Sequence, residues 1–162
     1  MVEIIKERMS AKVDGDFVVF LIGMRVNKLW KIHKWLPVAL AMPKMISELN
    51  KNPELGFIGH EQWFGRTTIM IQYWKSFEHL ENYAKNRSSN HLPAWKKFNK
   101  KVGSNGDVGI WHETYLSKTG KYESVYNNMP LFGLAKATRC VPAVGKFQSA
   151  SDRISNTPIM KP

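Results

Sequence analysis

Six apolar residues in succession, Phe17-Val18-Val19-Phe20-Leu21-Ile22, open the patterned part of the chain. A strand points alternate side chains to opposite faces, so an unbroken apolar run predicts a strand covered on both sides. The pattern then changes period. Leu29, Trp30, Ile32, His33, Leu36, Leu40, Met45, Ile46 and Leu49 recur at helical spacing and predict a helix over 27–50, kinked or split by Pro37 and Pro43. Two β-rich runs, 57–64 and 67–74, lie on either side of Gly65-Arg66 and read as a hairpin. Ser76 is a natural cap for a helix through about Ala84, and a second helix over about 91–102 would bury Leu92, Trp95, Phe98 and Val102.

After the loop Gly103–Asp107, the stretch VGIWHETYLSKTGKYESVY at 108–126 predicts a strand. It turns at Thr119-Gly120-Lys121 and returns with Tyr122 and Tyr126. The resulting order, β-α-β-β-α-β, is the ferredoxin-like one and defines an α+β fold. Residues 1–15 read as a polar lead-in, 16–128 as the folded domain, and 129–162 as an irregular extension reaching over a partner subunit.

Composition changes this picture little. With 162 residues, 43% hydrophobic and 23% charged, the chain is an ordinary single domain. No apolar run approaches the roughly 18 residues of a membrane span, and the N-terminus lacks an apolar signal segment. The single Cys140 excludes internal disulfides and, with the missing signal, implies a cytoplasmic setting. The formal charge of +11 is spread over scattered lysines, with one tight group at Lys96-Lys97 and Lys100-Lys101 on a helix face. The aromatic residues sit inside apolar runs rather than beside those charges, so the pattern does not predict nucleic-acid binding. No close metal-ligand spacing and no glycine-rich phosphate loop occur, so neither a metal site nor a flavin or nicotinamide site is predicted.

The candidate chemistry centres on Trp111, His112, Glu113 and Tyr115. Alternation splits them: His112 shares a face with Ile110 and Thr114, whereas Trp111, Glu113 and Tyr115 share the other. A pocket on the first face would use His112 as general base; one on the second would use Glu113 with Tyr115. Arg25 and Asn27 stand where the first strand gives way to the helix, a rim suited to holding a carboxylate, phosphate or enolate oxygen. Arg66 reads as a turn-closing residue. His33 and Trp30 are expected on the inward helix face, while Trp63, Tyr73 and Trp95 are candidate walls of an aromatic cavity. His79 is expected to be exposed, and His60 to lie on an edge strand.

Four segments carry a resemblance: Phe20–Arg25, His33–Pro37, Trp63–Thr68 and Trp111–Tyr115. In this arrangement the chain resembles, over about residues 8–145, a family of largely uncharacterised bacterial proteins whose fungal relatives are monooxygenase-like enzymes of polyketide pathways. The family is similar to members of the dimeric α/β-barrel superfamily. The resemblance implies a homodimer of ferredoxin-like subunits pressing their sheets together, which would supply the missing cover for the first strand. It also implies a pocket between sheet and helices for a small hydrophobic molecule, in which the residues themselves favour His112 as base with Arg25 and Asn27 as polar anchors. Trp30, His33, Trp63, Tyr73, Trp95, Glu113 and Tyr115 would then be substrate contacts. No cofactor is favoured. Distant relatives that bind haem, including aldoxime dehydratases, make haem the alternative, with His33, His91 or His112 on the iron; their ligating position falls nearer Trp95 in this chain.

Overall fold

The computed structural model describes residues 2–86, 96, 98–100 and 103–155. Its main sheet has four antiparallel strands: β2 (Phe17–Val26), β3 (Phe57–Trp63), β4 (Ile69–Trp74) and β5 (Val108–Ser117), in the order β3-β4-β2-β5. The first helix, α1 (Ile32–Lys51), joins β2 to β3, and α2 (Phe77–Lys85) follows β4. This is the ferredoxin-like α+β arrangement that the strand order predicts. The Ser76 side chain accepts a hydrogen bond from the His79 backbone N–H at 3.3 Å, capping α2 as expected.

Register fixes the faces. Val18, Phe20, Ile22 and Met24 stand opposite Leu116, Thr114, His112 and Ile110 of β5, and directly opposed residues point the same way. These even-numbered positions face the helices. There Val18, Met70 and Trp74 pack with Ile46 and Leu49 of α1 and Leu80 and Tyr83 of α2. A second cluster joins Met24, Val26 and Val108 to Trp35, Val38, Ala39 and Phe98. Trp74 is wholly buried, and its indole N–H donates to the equally enclosed Gln72 Oε1 at 3.0 Å.

The core face of α1 therefore runs through Trp35, Val38, Ala39, Met42, Met45, Ile46 and Leu49. Leu29, Trp30, Ile32, His33, Leu36 and Leu40, expected inward, are all exposed. The sequence carries two apolar stripes on different faces of the helix, and the sheet accepts only the one that continues to Leu49. Pro37 and Pro43 both lie inside α1, which the structure shows as one unbroken helix rather than a split one.

The opposite sheet face, formed by Phe17, Val19, Ile71 and Tyr73, is covered by the chain itself. Leu134, Ala135 and Ala137 from a short helix, α3 (Gly133–Ala137), pack there with Tyr122 and Tyr126. The lead-in is not purely irregular: β1 (Met9–Lys12) pairs with β6 (Arg139–Pro142), tying the two ends of the chain into a second small sheet. Residues 122–126 do not return along β5. Tyr126 instead bridges to Met9, and the Tyr122 hydroxyl accepts from the Val13 N–H at 2.7 Å. Arg153, in α4 (Ala150–Ser155), is 4% exposed and closes the extension, with Nε 2.8 Å from Glu123 Oε2 and Nη1 donating to the Phe147 and Gln148 carbonyls.

An extension that covers the sheet contributes to its stability. Leu134→Ala should therefore cost about 2–5 kcal/mol in equilibrium urea unfolding, as a core leucine does. A change below about 0.5 kcal/mol, the scale of a surface substitution, would show the extension to be a mere overlay.

Candidate active site

His112 lies on the helix-facing side of β5, an edge strand, opposite Ile22. Its ring meets Phe20 with centroids 5.7 Å apart and planes at 43°, and it is exposed, as is Thr114 two residues on. Val108 at the strand's start is buried whereas residues 112–116 are exposed, so among the described residues the helix layer covers β5 only at that end. The result is an open shelf bearing an imidazole, a hydroxyl and the apolar side chains of Phe20, Ile22 and Leu116.

The other face of β5 carries Trp111, Glu113 and Tyr115. The Tyr115 hydroxyl donates to Glu113 Oε2 at 2.6 Å, and that bond raises the phenol's pKa. Trp111 lies across β2 only because residue 23 is glycine: a Cβ there would collide with the Thr68 carbonyl oxygen and sit 2.6 Å from the indole nitrogen. That indole N–H is buried without an acceptor among the described residues.

Arg25 is on this second face as well. It stands opposite Gly109, and its Nη1 donates to Thr67 Oγ1 at 2.6 Å. His112 and Arg25 thus point to opposite sides of the sheet and cannot meet one substrate within a single subunit. Asn27 is a loop tie, its amide donating to the Gly106 carbonyl at 3.1 Å. Trp63 also faces away from the helices, edge-on to Phe132 at 5.9 Å. Tyr73 lies beneath α3, where burial pushes its pKa up to about 12. Trp95 and His91 fall outside the described residues. Among the described residues, Glu113 and Tyr115 are the one expected pair that the fold brings into contact.

Two further histidines take defined places. His60 of β3 is half-buried on the helix-facing side, stacked near Phe57 at 5.9 Å; burial, aided by Lys136, lowers its pKa. His79, expected to be exposed, is half-buried, with its Nδ1 2.7 Å from Ser76 Oγ. It lies against Gly56, whose left-handed φ of 80° and lack of a side chain make room for the ring.

Asp107 was read only as a loop residue, yet it organises the end of the sheet where β2 passes towards α1 and β5 begins. It is 2% exposed. Lys28 and Lys31 reach its two oxygens at 3.0 and 2.8 Å, and its carbonyl accepts from the Asn27 and Lys28 backbone N–H groups. A carboxylate immediately before a strand, and two lysines three apart in a stretch lacking acids, were the available signals. Arg66, expected to close its own turn, reaches across to the end of β2 and donates to the Val26 and Asn27 carbonyls at 3.2 Å.

The comparisons agree with this architecture. Residues 17–134 match the model of the Monooxygenase af470-like family, and the chain belongs to that family. It is 27% identical over 157 residues to Monooxygenase af470 of Aspergillus fumigatus (strain ATCC MYA-4609 / CBS 101355 / FGSC A1100 / Af293), covering 79% of this chain and 53% of that protein. The chain thus spans about half the length of this curated relative. Among solved structures, an aldoxime dehydratase (OxdRE) in complex with butyraldoxime superposes with a TM-score of 0.62 at 14% identity, covering 83% of this chain and 43% of that one. A second aldoxime dehydratase gives 0.61 at 15% identity, with 83% and 44% covered. The fold is that of one ferredoxin-like unit of the dimeric α/β-barrel type.

The Asp107 clamp makes a pH-dependent contribution to stability. Hydrogen bonds from Lys31 and then Lys28 hold its carboxyl below the ordinary value of 3.8. A depressed carboxyl stabilises the fold above its unfolded pKa and loses that contribution as pH falls through the folded one. The melting-temperature gap between wild type and Asp107→Asn should therefore be full at neutral pH and shrink below about pH 4. A gap independent of pH would contradict the clamp.

Proposed function

We propose that this chain is a small monooxygenase-like enzyme acting on a hydrophobic, polyketide-type compound with an acidic C–H bond, without flavin or nicotinamide. The observation that carries the reading is the exposed His112 imidazole on the helix-facing shelf, in a chain of the Monooxygenase af470-like family. Phe20, Ile22 and Leu116 supply apolar contact for a ring system, and Thr114 offers a hydroxyl on the same face. In this scheme the imidazole takes a proton from an activated CH2 carbon. The carbanion passes electrons to dioxygen, a carbon–oxygen bond forms, and loss of the second hydrogen leaves a carbonyl. Dioxygen is reduced, with its second oxygen atom released as water. Because Arg25 faces the other way, the base works with Thr114 and the shelf rather than with an arginine of its own subunit.

A homodimer belongs to the same proposal. The β5 row of Trp111, Glu113 and Tyr115 lies on the side the extension leaves open, and Tyr115 is exposed there. A second copy pressing its sheet against this row would bury it, while both His112 shelves stay on the outer, helix-facing side. The lone Cys140 thiol suits a reducing cytoplasm; among the described residues, no helix is long and apolar enough to cross a membrane.

This reading does not call on haem: of the three candidate ligands, His112 is the one described on the helix-facing side, where it serves as the base. His33 is exposed on the outer side of α1 rather than directed at the sheet, so it is not placed to hold an iron beneath the helices. His91 lies outside the described residues. No step is therefore assigned to haem.

Purified protein should consume dioxygen with an electron-rich anthrone- or naphthol-type substrate, and His112→Ala should reduce that rate by about 10²–10⁴-fold, the usual contribution of a general base. Arg25→Ala should leave it within a few-fold. A Soret band in the purified protein, or full activity in His112→Ala, would overturn the cofactor-free reading.

A further inference from the structure

We propose that the end of the molecule where β2 passes into α1 docks on an anionic lipid surface. This inference rests on exposure and charge, independently of the enzymatic reading. Leu29, Trp30, Ile32, Leu36 and Leu40 form the second apolar stripe of this segment, all exposed, with Trp30 at 76%. Phe64, 82% exposed at the tip of the β3–β4 hairpin, belongs to the same end. The tip is held there because Arg66 bonds the Val26 and Asn27 carbonyls and its own carbonyl accepts from the Val26 N–H. The Trp35 indole donates to the Leu29 carbonyl at 2.9 Å, which fixes the loop that presents Trp30. These large side chains are therefore displayed on tied backbone.

Charge selects the occupant. From Phe17 to Ser47 the sequence contains five basic residues, Arg25, Lys28, Lys31, Lys34 and Lys44, and no aspartate or glutamate. One carboxylate from elsewhere in the chain, that of Asp107, is shared by Lys28 and Lys31. Arg25 and Arg66 bond uncharged oxygens, a threonine hydroxyl and two carbonyls. An apolar patch interleaved with lysine suits a bilayer boundary. There the leucine and aromatic side chains enter the acyl region, tryptophan sits at headgroup level, and lysines meet the phosphates. The centre of a protein–protein interface would instead be depleted in lysine.

The test is sedimentation of the full chain with vesicles of phosphatidylcholine alone and of phosphatidylcholine with phosphatidylglycerol. The chain should sediment with the anionic vesicles, less so as salt rises and weakly with the neutral ones. The double variant Trp30→Ala/Phe64→Ala should bind about tenfold more weakly, whereas Val144→Ala, an exposed apolar change on the extension, should bind as wild type. Should the double variant melt at lower temperature, quenching of wild-type tryptophan fluorescence by brominated lipid replaces it, with quenching expected. Failure of the wild type to sediment, equal binding by the double variant or absence of quenching would overturn the proposal. So would a double variant that loses a larger oligomeric species in gel filtration, since the patch would then bind a second copy.

Discussion

One strand with no wet face dictates the rest of this structure. β2 is central, apolar on both sides, and bonded along its length to β4 and β5. Its even positions are satisfied by α1 and α2, which explains why the helices lie on one side and why Trp74, Met70 and Leu49 are the deepest apolar side chains. Its odd positions need a second layer. The chain supplies much of that layer itself by returning α3 and the tyrosines at 122 and 126 across Phe17, Val19 and Tyr73. The pairing of β1 with β6 holds this flap in place, with Arg153 and Glu123 locking its far end.

The flap divides the second face into two zones with different consequences. Over β3 and β4 it is closed: Gly59 has Ala137 against it, the Gly133 N–H donates to Glu61 Oε1 at 3.1 Å, and Tyr73 is buried. Over β5 it is open, leaving Glu113 and Tyr115 exposed. The helix-facing side of β5 is exposed as well at His112 and Thr114, because among the described residues the helix layer covers Val108 but not these two. An edge strand with two different exposed faces allows separate tasks, a partner on one side and a small molecule on the other. The Asp107–Lys28–Lys31 clamp holds the neck between β2, α1 and β5 from which both faces diverge.

Much of this was legible in local pattern. The continuous apolar run of β2, the Gly65-Arg66 hairpin, the Ser76 cap and the split of His112 from Glu113 and Tyr115 all follow from periods of two and 3.6 residues, and the structure has each of them. What was not legible depends on partners far away in the chain. Nothing near Met9 announces Pro142 and nothing near Tyr126 announces Met9, so β1, β6 and the flap read as irregular. α1 misled for a different reason. Residues 29, 32, 36 and 40 of the predicted segment and those at 35, 39, 42, 46 and 49 are both apolar at helical spacing, and only the seat on the sheet decides which faces inward. The placement of Arg25 was hidden in the same way as the cover: alternation along β2 puts it opposite His112 in direction, a relation visible only once β5 is paired in register.

The central claim, that the helix-facing side of β5 receives the small molecule while its other side receives a partner, is tested most directly by nuclear magnetic resonance of the His112 and Tyr115 rings during titration with a non-reactive naphthol-type ligand. The account predicts progressive, saturable shifts of the His112 ring signals with the Tyr115 signals unmoved. Shifts of Tyr115 with His112 silent would contradict it and place the chemistry on the opposite face.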